Sequence, residues 1–477
     1  MDFFAVIAFV VLYHVRPQEW IGPVSTVRPA MIAMLIGLYG TLTRDKGFSF
    51  SHLFKTPHDW LMAFYLVWIV GSSSSPYETW KSCYSLFLYY FIIMLALSNI
   101  ERMRKFMFWW AMMLVLVSGL AIASEYGFDP MYSYDVTHGS MKGRLVLNTS
   151  IFNNPNALGH SIVPGIAMLY FLFWWNRFFA FKFIFTFASS ICGYAAFLTI
   201  SKGAYVAAFA TWLISYMFRR PLIVKILIVV VALTGGMAAL KSMPRMSELE
   251  SPRAEGGIQG RILVFTWGFQ TMERNFRGVG WGKFDIAFSH AYGFLKSPHS
   301  SFVAVGTELG YTGLVLFVAI LYCGFKTLML AKTRDDEEER VRRLLFVLLV
   351  SYSVSSWMVG WASRASFFMM LAATAAFHRH LLGMNDSVPE AAPVLGSPAV
   401  AAKPEPSLST PVSPVVSSFN SAVPAVPHTE GEPHGAVVPE ARPPGLAWNS
   451  FGIWDILWIG GLTYGIIRIW SYAIHQL

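Results

Sequence analysis

Apolar residues run through this chain in long blocks, near 3–15, 30–42, 59–75, 83–98, 106–124, 160–176, 179–199, 203–218, 222–240, 300–325, 344–361 and 365–382. A helix needs about 20 apolar residues to cross a bilayer, and somewhat fewer where its flanks snorkel. The pattern therefore predicts an all-α polytopic membrane protein with about twelve transmembrane helices, the first two short. The first block carries Asp2, lacks a basic flank and is followed by no small-residue cleavage site. It reads as a membrane helix, not a removed signal peptide.

Residues 385–449 break the pattern. They hold 13 of the 25 prolines, with Ala, Val and Ser between them. Such a segment buries too little apolar surface to offset its chain entropy, so a disordered cytoplasmic linker is expected. Residues 451–472 then form one more candidate span, interrupted by Asp455 and Arg468. On this division 1–382 is the functional unit, and a chain ending near 384 is expected to remain active.

Composition narrows the class. Of 477 residues 55% are apolar and only 13% charged, with 39 Phe and 17 Trp. Soluble proteins carry roughly 25% charged residues, so a soluble enzyme, a nucleic-acid module and a disordered scaffold are all excluded. The net charge of +9 needs no polyanion partner, because Lys and Arg collect in cytoplasmic loops during insertion. One set of short loops holds seventeen of them, including Arg102, Arg104, Lys105, Arg342 and Arg343. The alternate set holds seven: Arg16, Arg28, Lys81, Lys142, Arg144, Lys202 and Arg364. The richer set faces the cytoplasm. The long loop 241–299, the loop 125–159 and the tight turns 199–203 and 362–364 then lie outside. Cys83, Cys192 and Cys323 are too scattered for a disulfide framework or a metal cluster.

Ionisable groups away from the cytoplasmic loops carry the chemical information, because they are costly near lipid. Lys202 sits in the turn ISKGAYVA and Arg364 in WASRASF. Each suits either a snorkelling anchor or an anion site. Arg261 opens a stretch in which Ile262, Phe265, Phe269, Met272 and Phe276 recur at helical spacing, as in a helix lying on the membrane surface. Gly278 to Gly282 form a flexible turn, and His299 opens the next span as either a cap residue or a base. Three cations and an imidazole on one outer face suit an anionic substrate with a hydroxyl to deprotonate.

These pieces resemble, in order, those of the O-antigen ligase and polymerase superfamily of bacterial membrane glycosyltransferases. Phe152-Asn-Asn-Pro-Asn156 resembles the family's NPN-type segment and Ile200-Ser-Lys-Gly203 its Ser-Arg-Gly turn. Arg261 with Gly278, Gly280 and Gly282 resembles its Arg-helix-Pro-x-x-Gly-x-Gly stretch, and His299 with Glu308 its His-Asn plus Glu-x-Gly stretch. Val15-Arg-Pro-Gln-Glu-Trp20 is similar to the subgroup of O-glycosylation ligases associated with exosortase systems. The departures are Lys202 for an Arg, Asn275 for a Pro and Ser300 for an Asn.

The resemblance implies transfer of a glycan from a polyprenyl (undecaprenyl) diphosphate carrier to an acceptor hydroxyl at the periplasmic face of the bacterial inner membrane. Arg261, Lys202 and Arg364 would bind the diphosphate, with Arg261 and His299 catalytic. Asn156, Gly278, Gly280 and Glu308 would support the site. The family chemistry is inverting, without metal or cofactor. Acceptors would be lipid A-core, a protein or a growing glycan; no nucleic-acid partner is expected. A polymerase of the same superfamily is the first alternative. A flippase for lipid-linked glycan is the second, disfavoured because mid-span charges are few, chiefly Lys326 and Glu308. The acidic run Asp335–Glu339 is expected to be a solvated helix end.

Overall fold

The structure, a computed structural model, describes residues 1–44, 53–175, 178–217, 220–221, 223–224, 226–227, 230, 256–384 and 445–476. All regular elements among them are helical. They are α1 (Asp2–Val15), α2 (Pro17–Trp20), α3 (Pro29–Arg44), α4 (Pro57–Gly71), α5 (Pro76–Ala96), α6 (Ile100–Ser124) and α7 (Ser133–His138). Then come α8 (Pro155–Trp175), α9 (Phe179–Leu198), α10 (Lys202–Met217), α11 (Gly256–Arg274), α12 (Phe284–Tyr292), α13 (Ser301–Leu330), α14 (Asp336–Ser355), α15 (Ala365–Leu381) and α16 (Ile453–Gln476). Helices thus occupy the apolar blocks, except that the block at 222–240 lies almost wholly outside the described residues. By length and composition α6, α8, α9 and α13 are apolar enough to cross a membrane.

Local chemistry sets the helix starts. Prolines open α3, α4, α5 and α8, where a missing N–H leaves no bond unmade. Asn99 caps α6 by accepting from the Arg102 N–H at 2.8 Å. Asp335 caps α14 in the same way, from Glu338 N–H at 2.8 Å. The acidic run is therefore bonded, not a solvated face. Glu338 is buried against His380. Burial opposes the charge on Glu339, but hydrogen bonds from Arg342 and Arg343 outweigh it and hold the carboxyl at about 2.

Helix α13 is the axis of the fold, packed by α4, α11, α14, α15 and α16. Two ion pairs lie inside the bundle, where a low dielectric makes an unpaired charge costly. Asp59 meets Arg379 at 3.3 Å, and Asp455 meets Lys326, which also lies over the Trp448 ring. Thr327 links two buried imidazoles, His58 at 2.9 Å and His378 at 3.0 Å.

The C-terminal helix packs with the rest of the described chain: residues 445–476 belong to the same compact unit as the described residues before 385. The expected linker lies outside the described residues up to 444, but its last residues are docked. Gly445 bonds Leu381 and Lys332, the Trp448 carbonyl meets His378, and Asn449 donates to the Lys55 carbonyl. At the other end Trp470 is fully buried. Its Nε1 donates to the Phe265 carbonyl at 3.0 Å, and its ring meets Phe269 edge-on. Gly268 and Gly306 leave room for that ring: a Cβ on Gly306 would sit 2.9 Å from it. Helix α16 therefore clamps α11 and α13 together.

A chain ending at 384 should for this reason unfold at lower temperature in detergent and lose activity. Replacing 386–443 by a short Gly-Ser linker should do neither. Trp470→Ala should cost about 3–5 kcal/mol, the usual range for emptying a buried aromatic site, read from intrinsic-fluorescence melting. Equal melting points for the full chain and the 384 truncation would show that the clamp contributes nothing.

Candidate functional site

Two of the residues singled out in the sequence, His299 and Arg364, lie at the turn joining α14 to α15. Ser300 and Ser301, directly after His299, are pinned to it. Ser301 N–H and Ser300 Oγ donate to the Ser356 carbonyl at 2.7 and 3.2 Å, and Ser301 Oγ donates to the Val359 carbonyl at 2.9 Å. Trp361 N–H returns a bond to Ser301 Oγ at 2.7 Å. Arg364 follows at the start of α15, its N–H bonded to the Trp361 carbonyl. The Ser that replaces the family's Asn at 300 thus has a definite role: it caps α13 and ties His299 to the turn. His299 itself is left-handed, at φ 47°, so its backbone is fixed at some cost.

Helix α11 brings Arg261 to the same place, though not as expected. Its buried positions are Gly260, Val264, Gly268 and Met272, spaced by four, and they face α13 and α16, not lipid. Ile262, Phe265 and Phe269 are half-buried beside them. The helix descends alongside the first turns of α13, so its apolar stripe is covered by protein. Its first turn then sets Arg261 beside His299.

Burial, followed by the Arg261 charge, lowers the pKa of His299; the Asp285 carboxylate works against the shift and Lys296 adds to it. Lys296 lies against Gly260, and Asp285 accepts from Ser297 Oγ at 2.9 Å. A neutral imidazole at neutral pH is what a general base needs. Arg261 also acts electrostatically on His160 in α8, which no motif had singled out. His160 Nδ1 bonds Ser355 Oγ at 2.9 Å, and a Cβ on Gly203 would lie 2.8 Å from its Nε2. Through that contact the Lys202 turn joins the site.

Asn156 supports the turn. Its Oδ1 accepts from Ser201 Oγ at 2.8 Å and from Arg144 at 2.9 Å, while Arg144 Nε donates to the Thr199 carbonyl at 3.1 Å. Arg144 had been seen only as a loop charge, and Lys296 had not been singled out. The structure thus brings Arg261 and His299 together and adds Lys296 and Asp285. Gly203, next to Lys202, lies against His160, and Arg364 follows the turn that anchors Ser301.

Glu308 serves the glycine turn. Its carboxylate accepts from Gly282 N–H at 2.9 Å and Phe284 N–H at 3.2 Å, and its carbonyl accepts from Gly280 N–H at 2.8 Å. Gly278 has φ 70° and rests on the Glu308 backbone; Gly310 has φ 68° and interrupts α13. A side chain at Gly310 would strike the Phe276 carbonyl, so both positions need glycine for conformation and for space. Asn275, where a Pro was expected, closes the turn by donating from Nδ2 to the Gly278 carbonyl at 2.8 Å. Both Glu308 carboxylate oxygens are thus engaged by the turn. No group of three or more His, Cys, Asp or Glu placed to hold a metal occurs among the described residues.

The described residues thus form a bundle of apolar helices, four of them long enough to cross a membrane, with Arg261, Lys296 and His299 near one another. A family model described as O-antigen ligase matches residues 187–318, the stretch that contains Lys202, Arg261, the glycine turn, His299 and Glu308. The matched stretch is thus similar to the same O-antigen ligase family that the motifs resemble. Asn156, His160, Arg364 and α16 lie outside the match. No curated protein matches the chain.

The charges around His299 predict a pH response. Asp285→Asn removes the one carboxylate that favours the imidazolium, so the His299 pKa falls and the acid limb of a pH–kcat/KM profile moves to lower pH. Lys296→Met removes a cation and moves that limb upward. Profiles that coincide with the parent's in both variants would show that His299 does not set the limb.

Proposed function

We propose that the chain transfers a glycan from polyprenyl diphosphate to an acceptor hydroxyl at the periplasmic face of the inner membrane, as an O-antigen-ligase-like or protein O-glycosylation ligase. The observation that carries this reading is the pairing of Arg261 with a pKa-lowered His299 on a scaffold matched by the O-antigen ligase family. In this reading the bundle has about twelve spans, with 241–299 as the periplasmic loop and α16 as an additional one. The unit 1–382 carries the chemistry, and the exosortase-associated subgroup is the reading of Val15–Trp20.

The proposed step is an inverting displacement. The acceptor oxygen attacks the anomeric carbon while the bond from that carbon to the diphosphate oxygen breaks. The bonding pair leaves with the diphosphate, and the hydroxyl proton passes to a ring nitrogen of His299. Arg261, with Lys202 and Arg364 in support, neutralises the charge that builds on the leaving group, the kind of stabilisation that dominates many enzymatic barriers. No metal enters the step, so a chelator should change nothing.

Charges elsewhere in the bundle support an enzyme over a flippase. Lys326, read from sequence as a mid-span charge, is held by Asp455, and Asp59 is held by Arg379. Both pairs are consumed in packing among the described residues.

Two variants separate the roles. Arg261→Ala should lower transfer by about 10²–10³ and weaken donor use. His299→Ala should lose about 10²–10⁴ in rate with donor binding nearly intact. Lys202→Arg should keep most activity where Lys202→Ala does not. The reading would be falsified by folded, purified His299→Ala transferring glycan from a lipid-linked donor at the parent rate.

A further inference from the structure

The segment Val15–Trp20 has no part in the chemistry above, yet it borders a groove of about 440 Å³. The groove lies between α1, α3 and α5, and its lining includes Tyr13, Arg16, Gln18, Arg28, Tyr84 and Ala365. Ala365 follows Arg364, so the groove adjoins the site already described. Arg16 is held there in the left-handed region, at φ 49°. Glu19 bridges to its Nε at 3.0 Å, and Ser150, from the 125–159 loop, takes a bond from its guanidinium. Glu19 is spent on this framework, since its oxygens also accept from Ser150 N–H and Oγ, each at 2.8 Å. No acidic side chain lines the groove.

Three features of the lining point to one kind of occupant. The Arg28 guanidinium favours a negative charge, beside an Arg16 already bridged to Glu19, and Arg presents planar paired donors to a carboxylate or phosphate. The buried Gln18 Oε1 has no hydrogen-bond partner, and a buried acceptor left in that state calls for a donor. Tyr13 and Tyr84 supply flat apolar faces with polar tips. A polyprenyl tail offers Gln18 no donor, and an inorganic anion offers the tyrosines no ring. A sugar carrying a carboxylate or phosphate offers the charge, the hydroxyl donor and the ring face together.

We propose that this groove binds an acidic sugar unit of one of the two glycan substrates and so selects which glycan enters the site. The proposal rests on the glycan-transfer reading for its consequence, though not for the binding itself. The sugar could belong to the lipid-linked donor or to the acceptor; the chemistry is the same, and kinetics distinguishes them.

The test uses the full chain in detergent or nanodiscs, with two readouts. The first is direct binding of uronic-acid oligosaccharides and a hexose phosphate against a neutral glucan of equal length. The parent should bind an acidic probe about ten- to a hundredfold more tightly than the glucan, as expected for one charge-assisted hydrogen bond. Arg28→Gln should abolish that preference, Arg28→Lys should restore part of it, and Gln18→Leu should weaken it. His299→Ala should bind like the parent, which separates failure of the groove from failure of the transfer mechanism. The second readout is steady-state transfer with acidic and neutral glycans. Arg28→Gln should raise KM for the acidic one alone, leaving kcat unchanged, and the substrate whose KM moves identifies the source. No acidic probe binding the parent more tightly than the glucan would overturn the proposal. So would an Arg28→Gln variant that lowers kcat while leaving every KM as it was.

Discussion

The geometry of the site depends on one carboxylate. Glu308 takes the N–H groups of Gly282 and Phe284 and so fastens the glycine turn to α13 at the point where Gly310 breaks that helix. The break frees backbone groups in an apolar surrounding, where each unmade bond is costly. Trp68 Nε1 meets the Leu309 carbonyl at 2.9 Å beside the break, and the glycine turn supplies further partners. Because the turn is fastened here, α11 must run beside the first turns of α13. Arg261, at the head of α11, therefore arrives level with His299, at the head of α13.

Helix α16 completes the same arrangement from outside the matched domain. Asp455 at one end holds Lys326, and Trp470 at the other fills the space that Gly268 and Gly306 leave between α11 and α13. The two contacts are complementary. A lysine inside the bundle without its carboxylate would be a large penalty, and two facing glycines without an aromatic ring would be a void. Residues that look like liabilities within 301–330 become favourable once the last helix is present.

The fold class was legible in the sequence because apolar blocks and loop charge report directly on burial. Arg261, His299, Lys202 and Glu308 were legible because charge near lipid is rare enough to be informative. Other parts were not. The inward face of α11 was misread, since Gly260 and Gly268 contribute to it by close approach and carry no hydrophobic signal. Arg144 was passed over as a topology charge and Lys296 was not singled out, because sequence shows the loop and not which turn it folds back upon. His160 was visible in the run Leu158-Gly-His160, directly after the Asn-Pro-Asn segment, but its bond to Ser355 spans 195 residues. The Pro-rich interruption made α16 look like an appendage. Packing across such a gap leaves no local trace in the sequence.

Backbone strain is distributed with a similar bias. The non-glycine residues at positive φ among those described are Arg16, Tyr132, Lys142, Ile200 and His299, and all five fall in segments that the charge bias assigns to the outer face. Each such residue costs on the order of 1–3 kcal/mol and persists only where its surroundings over-determine it. At Ile200 the surroundings are Arg144 on the Thr199 carbonyl and Asn156 on Ser201. At His299 they are the serine bonds to Ser356 and Val359, and at Arg16 they are Glu19 and Ser150. The polar bonds of this face thus hold side chains in orientations that a relaxed backbone would give up. Such enforcement suits a surface that presents fixed charges, where orientation supplied in advance need not be supplied at each encounter.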